Sequence, residues 1–141
     1  MAAEYCRHRA AASGMGWLVV DSAGTLGLEG YRAPDEAQEV MAEIGVDLSG
    51  HRSKGVRDEH LDAADYTIVM EREHLKYLGR HHPEGTDRRM LLRSFESGSD
   101  PHPYPPEVDD PMGLGVESFR AIVPIIVSSV DHLLEFFRER R

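Results

Sequence analysis

Two spacings organise the apolar residues of this chain. At Ala37, Val40, Met41 and Ile44 they recur every three or four residues, the stripe of an amphipathic helix; Pro34 and Asp35 open that segment and Gly45 closes it. The same spacing carries Val116, Phe119, Ile122, Val123, Ile126, Val130, Leu133, Leu134 and Phe137 down one face of a long C-terminal helix. Pro124 lies inside that stretch and predicts a kink or a late helix start. Short apolar runs bounded by turn residues read instead as strands. Trp17–Val20 predicts a buried strand, "DYTIVM" (65–70) a second and "MLLRSF" (90–95) a third.

Residues 2–12 predict a helix stopped by "SGMG", and "EREHLKYLGRHH" (71–82) predicts another. "HRSKGVRDEHLDAA" is polar, with a short helix near its end. Residues 96–115, "ESGSDPHPYPPEVDDPMGLG", form a loop rich in proline and glycine, and loops of that length in compact domains are usually functional or disordered. Strands alternating with helices indicate an α/β domain around a parallel sheet. Three strands make a thin sheet, however. The first helix also has no strand ahead of it and no Ser, Thr, Asp or Asn to cap it, so it reads as a βα unit without its β.

Composition narrows the classes. The 141 residues suit one domain, residues 1–141, with an ordinary balance of 29% charged and 40% hydrophobic residues. A formal charge of −9 opposes a nucleic-acid partner, since phosphate backbones select clustered Lys and Arg. The longest apolar run, "AIVPIIV", is too short to span a bilayer, and the N-terminus lacks a signal-peptide stretch. The single cysteine, Cys6, excludes an internal disulfide framework and fits a reducing compartment. A cytoplasmic protein with no membrane or nucleic-acid partner is expected, its oligomeric state open.

Four places could carry chemistry. In "VDDPMGLG" the Asp before Pro111 is held extended and the glycines let a ligand approach the backbone, but on the residues alone Asp-Pro reads first as an ordinary turn or helix-entry signal. Ser22 in "DSAGT" would sit at a strand's carboxyl end, where open α/β sheets bind ligands, or in a plain Ser–Gly turn. His51 lies in a polar loop that suits a surface or structural histidine. His74, His81 and His82 match no metal-ligand spacing and read as solvated. Cys6, mid-helix beside Tyr5, reads as a buried inert thiol.

Taken in order, "MAAEYCRHRAAA", "VDSAGT", "APDEAQEVMAEIGVDLSGHRSK", "ADYTIVMEREHLKYL" and "DDPMGLGVESFRAI" resemble the low-molecular-weight protein tyrosine phosphatase family, including its bacterial branch acting on phosphoarginine. The resemblance runs along nearly the whole chain. It implies a flavodoxin-like, three-layer α/β fold with a parallel sheet. In that family the first helix follows a central strand and a Cys-x5-Arg-Ser-Pro phosphate-binding loop, and Met1 stands where the residue after that Pro would be. The first, central strand, the nucleophilic Cys and the phosphate-binding Arg are thus expected to be missing from this chain. Cys6 does not replace the nucleophile, because the sixth residue after it is Ala12.

By resemblance, Asp110 is the general acid and base, and Asp109 is not, since Asp110 is the residue touching Pro111. Ser22 and His51 correspond to polar residues that brace the phosphate loop, and Leu28 and Met112 to the substrate-pocket wall. The family often has Trp or Tyr at the Leu28 position and an aromatic at the Met112 position, which weakens the case for phosphotyrosine. The lack of further cysteines argues against the arsenate reductases of this fold. The implied substrate is a phosphorylated protein or small phosphomonoester, with no cofactor and no metal. The chain as written is expected to be inactive, with a pseudophosphatase that serves as a binding module as the alternative. Without the central strand, the edges near Leu18–Val20 and Tyr66–Met70 are expected to face each other unpaired; a ladder closing them together would favour the pseudophosphatase.

Overall fold

Ile68 and Val69 are neighbours in sequence and point to opposite faces of β1 (Thr67–Val69), as the two-residue period of a strand requires. β1 pairs in parallel with β2 (Arg89–Leu91), Thr67 opposite Arg89 and Val69 opposite Leu91. Ile68, Met70 and Met90 face a large core built from three helices: α1 (Ala2–Ala12), α2 (Asp35–Ala42) and α5 (Val116–Glu139). Val69 and Leu91 face a smaller one with Leu78 of α4 (Arg72–His81), joined by Leu61 of α3 (Asp58–Ala63). Helices therefore cover both faces of a parallel sheet, the three-layer arrangement expected of α/β chains. The computed structural model describes residues 1–98 and 100–141; Ser99, inside the predicted 96–115 loop, lies outside them.

The helices end where their sequences dictate. Gly14 and Gly45 take left-handed φ values of 71° and 79°. Beyond them, Met15 N–H bonds to Ala10 O at 2.8 Å and Val46 N–H to Met41 O at 2.9 Å, closing α1 and α2 with the six-to-one bond of a Schellman turn. Asp35 and Glu36 occupy the first turn of α2, where the helix dipole favours negative charge. On α5, Phe119, Val123, Ile126, Val130, Leu133 and Leu134 are buried, as their spacing predicts.

Several expectations are corrected. Trp17–Val20 is neither a strand nor buried: Val19 is 91% exposed, and no backbone hydrogen bond joins residues 17–21 to residues 66–70 among the described residues. A strand exists only through its neighbour's hydrogen bonds; the ladder that would have favoured a pseudophosphatase is not formed among the described residues, in keeping with the unpaired edges expected. Ile44 falls beyond the end of α2 and is exposed. The third strand is displaced to Arg89–Leu91, with Leu92–Phe95 coiled as a 3-10 turn instead. α5 begins at Val116 and runs through Pro124, which is exposed on its solvent side, so no late start occurs. Phe136, not Phe137, is the fully buried aromatic near its end. His74 and His82 are half-buried rather than solvated: His74 Nδ1 accepts the Glu71 N–H at 3.2 Å, and His82 pairs with Asp58.

Candidate active site

In an open parallel α/β sheet, ligands bind in the crevice outside the carboxyl ends of the strands. The carboxyl end of β1 continues into Met70, whose carbonyl accepts the Val108 N–H at 2.9 Å. That bond brings the Asp109–Asp110 pair to this edge. Val108 is buried, while both aspartates are exposed. The Met112 N–H donates to Asp110 Oδ1 at 3.0 Å, so one carboxylate oxygen is fixed by its own turn and the other is left for a ligand. Gly113 and Gly115 then take φ values of 77° and 89°, a turn that glycine makes without steric cost, and α5 begins.

A second group forms around the amino end of α1. Arg7 Nε donates to Val20 O at 2.9 Å, and its guanidinium pairs with Glu4 one turn earlier. Glu4 Oε1 lies 4.0 Å from His51 Nδ1. Asp21 meets Lys54 at 2.5 Å and the Ser22 N–H at 2.9 Å. The hydrogen bond from Lys54 holds the Asp21 carboxyl below the usual range, helped by the Ser22 amide and Arg7. Gly24 N–H to Lys54 O at 2.9 Å and Val56 N–H to Gly24 O at 3.0 Å complete a short parallel bridge between the two loops. Burial lowers the His51 pKa, with the Met1 amino group, Arg7 and Arg52 acting in the same direction and Glu4 against.

The Ser22 N–H bonds to Asp21, whose carboxylate lies 4.0 Å from the Arg7 guanidinium, and His51 lies 4.0 Å from Glu4, while Asp110 is placed separately through Val108 and Met70. No hydrogen bond or ion pair links the two groups among the described residues. Leu28 and Met112 are 49% and 60% exposed and line neither of two concavities found elsewhere, one along α2 near Asp47 and one beside His82. Cys6 is buried, and burial pushes its thiol pKa up to about 11, which removes it as a thiolate nucleophile. Among the described residues no three His, Cys, Asp or Glu side chains gather to hold a metal. No helix among them is long and apolar enough to cross a membrane. Sequence reading missed Glu4, Arg7, Asp21 and Lys54. Only Glu4 and Arg7, three apart on a helix, carry a local signal.

The whole chain, residues 1–141, matches the family described as low molecular weight phosphotyrosine protein phosphatase. The chain belongs to this family. It is 32% identical over 116 residues to the protein-arginine-phosphatase of Geobacillus stearothermophilus, covering 82% of this chain and 74% of that protein. It is 33% identical over 87 residues to the low molecular weight protein-tyrosine-phosphatase Ptp of Acinetobacter johnsonii, covering 62% of this chain and 61% of that one. The crystal structure of the low molecular weight protein tyrosine phosphatase from T. tengcongensis superposes with a TM-score of 0.84 at 30% identity, over 95% of this chain and 87% of that chain. The phosphatase fold is flavodoxin-like, and this chain shares it.

Proposed function

We propose that residues 1–141 are a single low-molecular-weight phosphatase domain that supplies the acid–base half of phosphomonoester hydrolysis. In this reading the nucleophile is the Cys of the Cys-x5-Arg loop that the family joins to these elements, and it is not among the 141 residues. The 141 residues contain no Cys-x5-Arg, and by themselves they hydrolyse no phosphate ester. With the loop in place, the Cys thiolate attacks phosphorus, Asp110 protonates the departing oxygen, and the Asp110 carboxylate then takes a proton from the water that cleaves the phosphocysteine. Water is consumed and inorganic phosphate released, with no metal or cofactor in the route. Ser22 and His51 brace the phosphate loop, and Leu28 and Met112 line the substrate pocket. The substrate is a phosphorylated protein in the cytoplasm. Relatives named for phosphoarginine and phosphotyrosine are similarly close, at 32% and 33% identity, while a wall without aromatic rings at Leu28 and Met112 favours the less ring-dependent of the two, phosphoarginine.

The observation that supports this reading most is the docking of the Asp109–Asp110 loop on the carboxyl end of β1 through Val108 and Met70. Its test uses the chain extended by its phosphate-binding segment. Asp110→Asn should slow hydrolysis by about 10²–10⁴-fold for poor leaving groups, which need the proton, and much less for activated aryl phosphates. Asp109→Asn should be mild. A more damaging Asp109→Asn would reverse the assignment within the pair.

A further inference from the structure

Among the described residues no helix or strand forms between Phe95 and Val116, yet one point of the acid loop is tied down from three directions. Arg72 is the first residue of α4, so its backbone N–H is one of the donors a helix leaves without an intrahelical partner. That N–H donates to Glu107 Oε1 at 2.9 Å, and the Arg72 guanidinium donates to the same oxygen at 3.1 Å. A second guanidinium nitrogen of Arg72 reaches Pro105 O at 2.5 Å. From the other side, Arg93 Nη1 donates to Glu107 O at 2.9 Å, while its remaining nitrogens grip Glu96. The next residue, Val108, is buried and bonded to Met70 O, and Asp110 follows two positions later. Downstream of Asp110 the bonds among the described residues are local, Met112 N–H to Asp110, Leu114 N–H to Pro111 O at 3.0 Å and Ser118 Oγ to Leu114 O at 3.1 Å, and Gly113 and Gly115 are left-handed. Whatever fixes Asp110 in space therefore acts from the upstream side.

We propose that Arg72 and Glu107 are positioning residues: their clasp docks the acid loop on the carboxyl end of β1 and so sets where Asp110 presents its proton. The inference rests on the reading of Asp110 as the general acid. The clasp is unsuited to a stabilising role. The Arg72 and Glu107 side chains are 49% and 31% exposed, and ion pairs in contact with water contribute little to global stability. A geometric role needs much less energy, because a shift of about 1 Å in a catalytic group costs roughly 10²-fold in rate. The Glu107 carboxyl is held below its ordinary pKa, first by the Arg72 backbone N–H and then by the guanidinium, so the clasp is intact at neutral pH.

Two readouts test it. In the 141-residue chain, exchange of the Val108 amide reports the docked loop. Glu107→Ala should speed that exchange by about tenfold or more through local opening, while the melting temperature stays close to that of the parent. Glu107→Gln, whose amide oxygen still accepts the Arg72 N–H, should retain part of the protection, and Arg72→Met should lie between the two. In the chain extended by its phosphate-binding segment, Glu107→Ala should lower kcat by about tenfold or more for poor leaving groups and much less for activated ones, with partial rescue in Glu107→Gln. A merely structural lesion would depress both substrates equally. Unchanged Val108 exchange in Glu107→Ala and Arg72→Met, or a loss of rate independent of leaving group, overturns the positioning role. A silent Asp110→Asn would instead overturn the acid assignment beneath it, whereas a silent Glu107→Ala beside a damaging Asp110→Asn overturns the clasp alone.

Discussion

Truncating Phe95 to alanine should unfold this protein more readily than any surface change, although it removes no atom of a candidate catalytic group. Phe95 ends the 3-10 turn after β2, is 0% exposed, and meets the Phe136 ring of α5 edge-on, with centroids 5.1 Å apart and planes at 61°. Phe136 in turn packs on Tyr66 at 5.6 Å, so one cluster joins the turn, α5 and the start of β1. Removing a buried phenyl ring costs about 3–5 kcal/mol in transfer and cavity terms. That figure already contains the lost aromatic pair, itself about 0.5–1.5 kcal/mol. The total is a large share of the 5–15 kcal/mol that holds a typical domain folded. Equilibrium urea unfolding is the assay. With a slope of about 2 kcal/mol/M, the midpoint should fall by roughly 1.5–2.5 M at unchanged slope. Phe95→Leu, which keeps most of the volume, should cost distinctly less. The Arg93 side chain that grips Glu107 springs from the same turn, so Phe95→Ala should also loosen Val108. A loss below about 1.5 kcal/mol would refute the packing argument, since it would mean that the site collapses around the missing ring.

Cys6, with a thiol pKa of about 11, should resist alkylation in the native chain at pH 7, where its thiolate fraction is about 10⁻⁴, and should react readily in denaturant; fast native labelling would contradict its burial. His51 should shift stability with pH in a defined direction. Its folded pKa lies below its unfolded value near 6.5, so the unfolded chain binds the extra proton. Stability is therefore full above about pH 6.5 and is lost as pH falls from there through the folded pKa. The same loss in a His51→Asn variant would assign the effect elsewhere.

The helices were legible because their burial is periodic and local: Ala37, Val40 and Met41 on α2, and the stripe from Phe119 to Leu134 on α5, lie where the spacing puts them. The second strand was legible for the same reason, as a short apolar run between turns. Trp17–Val20 has that composition too, but a strand is defined by a partner's hydrogen bonds, and composition is silent about partners. Leu92–Phe95 looks like strand by residue type, yet its four residues coil to carry Leu92 and Phe95 into the α5 core. At the site, the Asp-Pro and Ser-Gly turns could be marked because they are local signals. The Arg72–Glu107 and Lys54–Asp21 pairs could not, being 35 and 33 residues apart in a chain rich in charge. The His82–Asp58 pair depends on where α3 and α4 meet, which periodicity does not encode, whereas the His74 cap is local to the first turn of α4 and is legible only as a capping-box position.

Hydrolysis of an aryl phosphate and of a phosphoarginine peptide, measured side by side for the 141-residue chain and for the chain preceded by its strand and Cys-x5-Arg loop, tests the central claim most directly. The account predicts a rate at the no-protein blank for the first. It predicts turnover that requires both the added Cys and Asp110 for the second, since acid–base help alone, worth about 10²–10⁴-fold, leaves most of the barrier to phosphate-ester hydrolysis standing. Repurification-proof turnover by the 141 residues alone, or an extended chain that stays inert with its loop in place, would contradict it.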